Sequence, residues 1–231
     1  MSRKSLVPDL LVEPEPVSRI GRPERARAEI QNAALHFLWA RPFREMTVNK
    51  LMEHTSLSRA AFYYHFADIH DLMEILLARL SSEVMASSGP WFSEEGDPVK
   101  LMYESLRSSV EVIYKHGPLL KAVRDSAGSD ARMEEVWCGF LGGFDDAVAE
   151  RILADQQQGL IDALDARPVA SMLDNANVAL YIQEFGSAPY GQKDSVLTTI
   201  SRVWISTLYG QQWVANCSST LYRKQDANVS A

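Results

Sequence analysis

The sequence predicts an all-α protein, with a three-helix helix-turn-helix head followed by a larger helical domain, about nine helices in all. Three observations carry this. Apolar residues recur at three- and four-residue spacing through most of the chain, the repeat of one helix face. No stretch alternates apolar and polar residues as a half-buried strand does. Gly, Pro and short polar residues fall between the periodic runs, where helices start and stop. The 231 residues are 46% hydrophobic and 23% charged, enough apolar material for a sizeable core.

Residues 1–18 are rich in Pro and Glu and read as a flexible arm. From Pro23 the pattern turns helical, with Ile30, Ala33, Ala34, Phe37 and Leu38 on one stripe. Arg41-Pro42 ends this helix, because the residue before a proline is pushed out of the α region. Thr47 suits an N-cap of a short second helix, whose inner face is Val48, Leu51 and Met52. Lys50 stands where a capping box needs Glu or Gln. His54-Thr55-Ser56-Leu57 makes a turn, and Ser58 caps a third helix, Arg59 to about His65. Asp68 caps a fourth, running to about residue 87 on the stripe Ile69, Leu72, Met73, Leu76, Leu77, Leu80 and Val84.

Ser87-Ser88-Gly89-Pro90 and the run from Glu94 to Pro98 read as a loop. Further helices are expected at about 98–116, 118–128, 131–157, 168–186 and 192–216, with Gly117-Pro118, Gly128, Gly159, Pro168 and Gly186 to Gly191 between them. Residues 218–231 read as a frayed tail. The expected organisation is an arm (1–18), a DNA-binding head (19–67), a ligand-binding and dimerisation domain (68–217) and the tail.

Several function classes find no support. No apolar run approaches the roughly 18 residues that span a bilayer. The first residues lack a signal-peptide core, so a cytoplasmic location is expected. Cys138 and Cys217 are then most simply free thiols. His36, His54, His65, His70 and His116 show no metal-ligand spacing. There is no phosphate-cradling loop and no Gly-x-Ser-x-Gly elbow. No catalytic residue, metal or cofactor is expected. The net charge of −7 argues against nucleic acid until its distribution is read. Residues 1–65 hold ten Lys/Arg against seven Asp/Glu, a net +3 that leaves −10 for residues 66–231. A basic head on an acidic body directs DNA to one end.

Two short helices joined by a tight turn, the second opening at a Ser cap, form the helix-turn-helix plan. On the third helix Ser58, Arg59, Ala60, Tyr63 and Tyr64 can face outward, with Ala61 and Phe62 inward. Arg59 suits a guanine edge or a phosphate, and Ala60 a thymine methyl. Tyr63, Tyr64 and His65 suit phosphate oxygens, which position without reading sequence. Thr47 and Val48 open the second helix, whose free N–H groups suit a phosphate. Arg22 and Arg25, within the cluster Arg19, Arg22, Arg25 and Arg27, either reach DNA ahead of the head or sit on a solvated arm.

This stretch, Thr47 to Phe66, resembles the head of the tetracycline-repressor (TetR) family at Thr47, Leu51, Ser58, Tyr63, His65 and Phe66. It departs at Met52 for the usual Ala, at Thr55-Ser56 for the usual Ala-Gly, and at Ile69 for a phosphate-contacting Lys. Farther on, Trp204-Ile205-Ser206-Thr207-Leu208-Tyr209-Gly210 and Glu135-Val136-Trp137-Cys138-Gly139-Phe140 resemble the mycobacterial ethionamide-monooxygenase repressor group. That resemblance implies an apolar tunnel walled by Tyr103, Val110, Tyr114, Trp137, Phe144 and Trp204. Asp174 and Asn177 would be its polar pair. They share a helix face at i, i+3, and an Asp there suits a ligand that donates a hydrogen bond or carries positive charge. On pattern alone Trp137, Phe140 and Phe144 favour plain core packing, and the resemblance brings a pocket role level with it. Gly139, Gly142 and Gly143 make room for a ligand or for a crossing helix.

The last two helices carry broad apolar faces: Leu173, Val178, Leu180, Tyr181 and Phe185, then Val196, Leu197, Ile200, Val203, Ile205, Leu208 and Trp213. Two from each subunit suit a four-helix homodimer interface. The expected function is a dimeric DNA-binding regulator, in the family default a repressor, released from a double-stranded palindromic operator by an apolar small-molecule effector. The alternative is a DNA-binding protein of the same fold answering to a protein partner. An internal cavity of several hundred Å³ separates the first from the second.

Overall fold

A computed structural model describes residues 21–93 and 96–210. Every element among them is helical: eight α-helices and one short 3₁₀ turn, Phe43–Glu45. The α-helices are α1 (Arg22–Ala40), α2 (Val48–Met52), α3 (Arg59–His65), α4 (Ile69–Ser93), α5 (Pro98–Ala127), α6 (Ala131–Gln157), α7 (Ala166–Phe185) and α8 (Lys193–Leu208). The expected arm and tail, Arg19, Trp213 and Cys217 lie outside the described residues.

Two Gly-Pro steps that read as stops lie inside helices, and one of them takes the expected count of nine to eight among the described residues. Pro118 sits within α5, joining the expected 98–116 and 118–128 segments into one helix of 30 residues. Pro90 sits within α4, which runs on to Ser93. In both, the preceding residue is glycine, and a proline excludes its predecessor from the α region largely by clashing with that residue's Cβ. Gly89 and Gly117 have none. The backbone around Pro90 is also supported from α5: the Ser105 hydroxyl donates to Ser88 O (3.0 Å) and accepts from Trp91 N (3.3 Å).

Gly117 has a second role. A Cβ placed there would lie 2.1 Å from the carbonyl oxygen of Phe185, so its absence lets α5 touch the end of α7. Around this crossing α5 is buried from His116 to Leu120 on every side. It packs against α1, α4, α6, α7 and α8, which makes it the central helix of the body.

The head forms where α1 crosses α2 and α3. Ile30, Ala34 and Phe37 from α1 join Leu51, Met52, Phe62 and Phe66 in its core. α4 leaves the head directly after α3 and runs into the body, where it lies along α5.

A candidate DNA-reading head and an internal cavity

The head is set by local chemistry. Thr47 Oγ1 accepts from Lys50 N and Ser58 Oγ from Ala61 N, each at 3.3 Å, capping α2 and α3. The turn between them is polar where the resemblance expects Ala-Gly, and side chains hold it. Thr55 Oγ1 donates to Met52 O (3.0 Å) and accepts from Leu57 N (3.2 Å). Glu29 on α1 accepts from both Ser56 N (2.6 Å) and Ser56 Oγ (2.8 Å). These four bonds replace the compactness of Ala-Gly.

Phe62 points inward and is buried against Phe66, ring centres 5.4 Å apart. The opposite face of α3 gathers Ser58, Arg59, Ala60, Tyr63 and Tyr64 in solvent. Tyr63 is 53% and Tyr64 77% exposed, unusual for large rings with nothing to cover them. His65 is half-buried, its ring edge-on to Tyr64 at 4.9 Å. Thr47 is exposed and Val48 half-buried at the start of α2, and Arg22 and Arg25 are exposed at the start of α1. Ile69 is half-buried and packs on the core.

The head is clamped to the body where α4 begins. Arg132 on α6 reaches Asp68 (3.1 Å), Asp71 (4.0 Å) and Glu74 (3.2 Å), and His70 pairs with Asp130 at 3.2 Å. The Asp68 carboxyl lies below its ordinary range, chiefly because it accepts from Asp71 N–H, with Arg132 adding to the effect. Trp39 of α1 donates to Lys115 O (3.3 Å) and tilts against Tyr190. Sequence spacing carries no sign of these contacts, because their partners stand 58 or more residues apart.

The far end of α4 lines an internal cavity of about 70 Å³. On a scale where about 10–15 Å³ admits one water, that is room for a file of about five. It falls short of the several hundred Å³ that a preformed drug-sized site would offer. Val84, Met85, Ser88, Trp91 and Phe92 of α4 form one wall, and Met102, Ser105, Leu106, Ser109 and Ile113 of α5 another. α6 adds Phe140, Leu141, Phe144 and Val148; α7 adds Asp174, Asn177, Val178 and Tyr181; α8 adds Trp204.

Of the eight residues expected around the tunnel, the cavity brings together Phe144, Asp174, Asn177 and Trp204. Tyr103, Val110, Tyr114 and Trp137 lie off it. Three of these sit one residue beyond true lining positions: Tyr103 follows Met102, Val110 follows Ser109, Tyr114 follows Ile113. One residue turns a helix by about 100°, so each faces elsewhere. Val110 is buried, and Tyr114 meets Phe185 edge-on at 5.2 Å with Lys193 Nζ over its ring. Trp137 stacks on Phe140, one side chain behind the wall. Gly139, Gly142 and Gly143 have no neighbour within 4 Å of a would-be Cβ, so no crossing helix among the described residues needs them small.

The wall is apolar with three polar groupings. Ser88 and Ser109 share a hydrogen bond at 2.8 Å. Asn177 Oδ1 accepts from Trp204 Nε1 at 3.0 Å. Asp174 lies near Asp145, and burial, then the Asp145 charge, push its carboxyl well above the ordinary range. Behind Trp91 a buried chain closes the end: Trp91 Nε1 donates to Tyr209 Oη (3.1 Å), which donates to Asp155 Oδ2 (2.8 Å), itself paired with Arg151 at 2.9 Å.

Comparison with known proteins now decides the family. The model for bacterial regulatory proteins of the tetR family matches residues 30–76, and that for the C-terminal domain of the transcriptional regulator EthR matches residues 102–210. The chain belongs to the TetR family of transcriptional regulators. An HTH-type transcriptional regulator EthR from Mycolicibacterium smegmatis is 25% identical over 197 residues, covering 79% of this chain and 86% of that protein. Its counterpart from Mycobacterium tuberculosis is 23% identical over 185 residues, covering 77% and 84%. Among solved structures, a TetR-family regulator from Syntrophomonas wolfei superposes with a TM-score of 0.69 at 16% identity, covering 79% of this chain and 94% of that one. A regulator from Saccharomonospora viridis, solved in complex with choline, gives 0.62 at 18% identity, covering 79% and 96%. As a TetR-family member the chain is a DNA-binding transcriptional regulator, and no described helix is long and apolar enough to cross a membrane.

Proposed function

We propose that this TetR-family protein is a cytoplasmic repressor that holds a palindromic operator as a homodimer and leaves it when a small, largely apolar ligand enters the cavity. One observation carries the reading: a single helix, α4, follows α3 of the head directly, is tied to α6 at Asp68–Glu74 through Arg132, and forms a cavity wall from Val84 to Phe92. Whatever moves that wall moves the head. A ligand shifts DNA affinity only by its preference for one of the two head positions, typically about 1–3 kcal/mol. The small cavity favours a slender ligand or one that spreads the walls, and Met85 and Met102 are side chains that adapt to such spreading.

On α3, Arg59 and Ala60 supply base contacts, and Ser58, Tyr63, Tyr64 and His65 supply phosphate contacts. Thr47, Val48, Arg22 and Arg25 complete the phosphate contacts. Dimerisation through α7 and α8 is supported by exposed faces poor in charge, with Arg202 the charged side chain beside that of α8. Met172 (56% exposed) stands with Ala176 and Ala179 on α7, and Val203 (43%) with Thr199 and Ser206 on α8. A two-fold pair presents its α3 helices to successive major grooves about 34 Å apart, or a multiple of it.

The test is a fluorescence-anisotropy titration against DNA from upstream of the protein's own gene, at two salt concentrations. Tight binding that is selective over random DNA and weakens as salt rises supports the reading. Weak, unselective binding to that DNA and to a genomic operator library overturns it.

A further inference from the structure

We propose that the cavity takes a protonated alkylamine, whose N–H groups bind the Asp145–Asp174 carboxyl pair and the Tyr181 hydroxyl while its chain lies along the apolar wall. This rests on the ligand-release reading above and names the headgroup that reading leaves open.

Three features converge at one end of the cavity. Asp174 and Tyr181 lie two turns apart on the same face of α7, at 9% and 4% exposure, and both line the space. Asp174 Oδ2 and Tyr181 Oη have no hydrogen-bond partner, and neither has Asp145 Oδ1 directly behind. Native proteins seldom leave buried polar atoms unpaired, and three at one spot mark a place that something else completes. Asn177, the neighbouring polar side chain, is already taken by Trp204. What is missing is therefore a donor, and one with several N–H groups.

Charge points the same way. Burial, then the neighbouring Asp145 charge, hold the Asp174 carboxyl well above its ordinary range, so its charged form lacks a compensating cation. The basic group facing them is Arg167 of α7, 3.9 Å from Asp145 and also paired with Asp146. The cavity walls contributed by α4, α5 and α8 hold apolar, hydroxyl and indole groups and no ionisable side chain. An ammonium supplies both the missing donors and the missing positive charge. A carboxylate ligand would meet repulsion, and an alcohol would satisfy one acceptor only. An ammonium beside Asp174 favours its charged form, so any proton held there passes to solvent. Binding therefore tightens as pH rises, until the free amine itself loses its proton near about 10.

The experiment is isothermal titration of the full chain with hexylamine, hexan-1-ol and hexanoate, in two buffers of different ionisation heat. Hexylamine is expected to bind about tenfold or more tighter than hexan-1-ol. Proton release is expected on amine binding. Hexanoate is expected to bind more weakly than either. Asp174→Asn should bring the amine to the level of the alcohol and abolish proton release, with helical circular dichroism reporting that the chain is folded. Tyr181→Phe should weaken the amine alone and serves as the deciding variant if Asp174→Asn misfolds. Equal affinity for amine and alcohol overturns the headgroup assignment and leaves the cavity as a ligand site. No binding by any of the three, with operator affinity unaffected, overturns both.

Discussion

Alanine at Gly117 and alanine at Gly143 are expected to change stability in opposite directions, although both are glycines inside long helices. At an unconstrained helix position Gly→Ala stabilises by about 0.5–1 kcal/mol, because glycine gives up more backbone entropy on folding. Gly143 on α6 has nothing within 4 Å of the new methyl, so Gly143→Ala should gain that amount. In a chain of this length that raises the melting temperature by about 1–4 °C. At Gly117 the new methyl lies 2.1 Å from Phe185 O and 2.5 Å from Phe185 C, both backbone atoms that no rotamer change can remove. Relief requires α5 and α7 to separate, an overpacking strain of about 1–3 kcal/mol or more. The helix gain cannot offset it, so Gly117→Ala should melt several degrees lower. The assay is thermal unfolding followed by helical circular dichroism, side by side with the unsubstituted chain. If Gly117→Ala proved as stabilising as Gly143→Ala, the close α5–α7 crossing would be wrong, and so would the account of why Gly117-Pro118 does not end α5.

Arg59→Ala should weaken operator binding by about 1–3 kcal/mol and relax sequence preference, without altering unfolding, since the side chain is exposed; unchanged affinity in the anisotropy titration would show that α3 does not read the site. Glu83 of α4 pairs with His116 of α5 at 3.4 Å, and this bond first, with Arg79 assisting, holds its carboxyl down to about 2 from 4.5. A depressed folded value stabilises above the unfolded one, so the difference in melting temperature between the parent chain and Glu83→Gln should narrow as pH falls from about 4.5 to about 2. The raised Asp174 carboxyl acts with the opposite sign, adding stability as pH falls from neutrality toward its unfolded value of 3.8, and Asp174→Asn should flatten that limb of the profile. Tyr209→Phe removes the hydroxyl between Trp91 and Asp155 and should cost about 1–3 kcal/mol by chemical denaturation; no loss would mean that water or a rearranged Arg151 takes its place.

The head was the most legible part of the chain because its determinants are local. Thr47 and Ser58 cap helices through bonds spanning three residues, and Leu51, Phe62 and Phe66 fall in phase with them. The all-α class and the family resemblance followed from the same short-range signals. What failed did so for identifiable reasons. Pro90 and Pro118 look like breaks because Gly-Pro steps are strong punctuation in sequence, yet a glycine before the proline has no Cβ to clash and lets the helix continue. On α5, positions carried over by resemblance fell one residue out of phase. The chain's own stripe of Met102, Ser105, Leu106, Ser109 and Ile113 marks the face that lines the cavity. The Asp145–Asp174 contact joins α6 to α7 and has no sequence signature, since neither residue shows its partner across a gap of that length. Ser56 reads as a weak substitute for glycine until Glu29, 27 residues earlier, is seen to hold it.

α4 spans 25 residues, about 37 Å at 1.5 Å per residue, with the proline near one end and the DNA-reading head at the other. Length of this kind converts angle into distance. A tilt of about 5° centred on Pro90, within the range of bends that prolines and their unmade hydrogen bonds commonly absorb, carries Ile69 sideways by about 3 Å. In the proposed homodimer, two such arms swinging symmetrically would change the span between recognition helices by up to about 6 Å, against a groove repeat of about 34 Å. On that proposal a cavity that admits only a handful of waters is not too small to govern the head, because displacement at the ligand end would be multiplied rather than transmitted one for one.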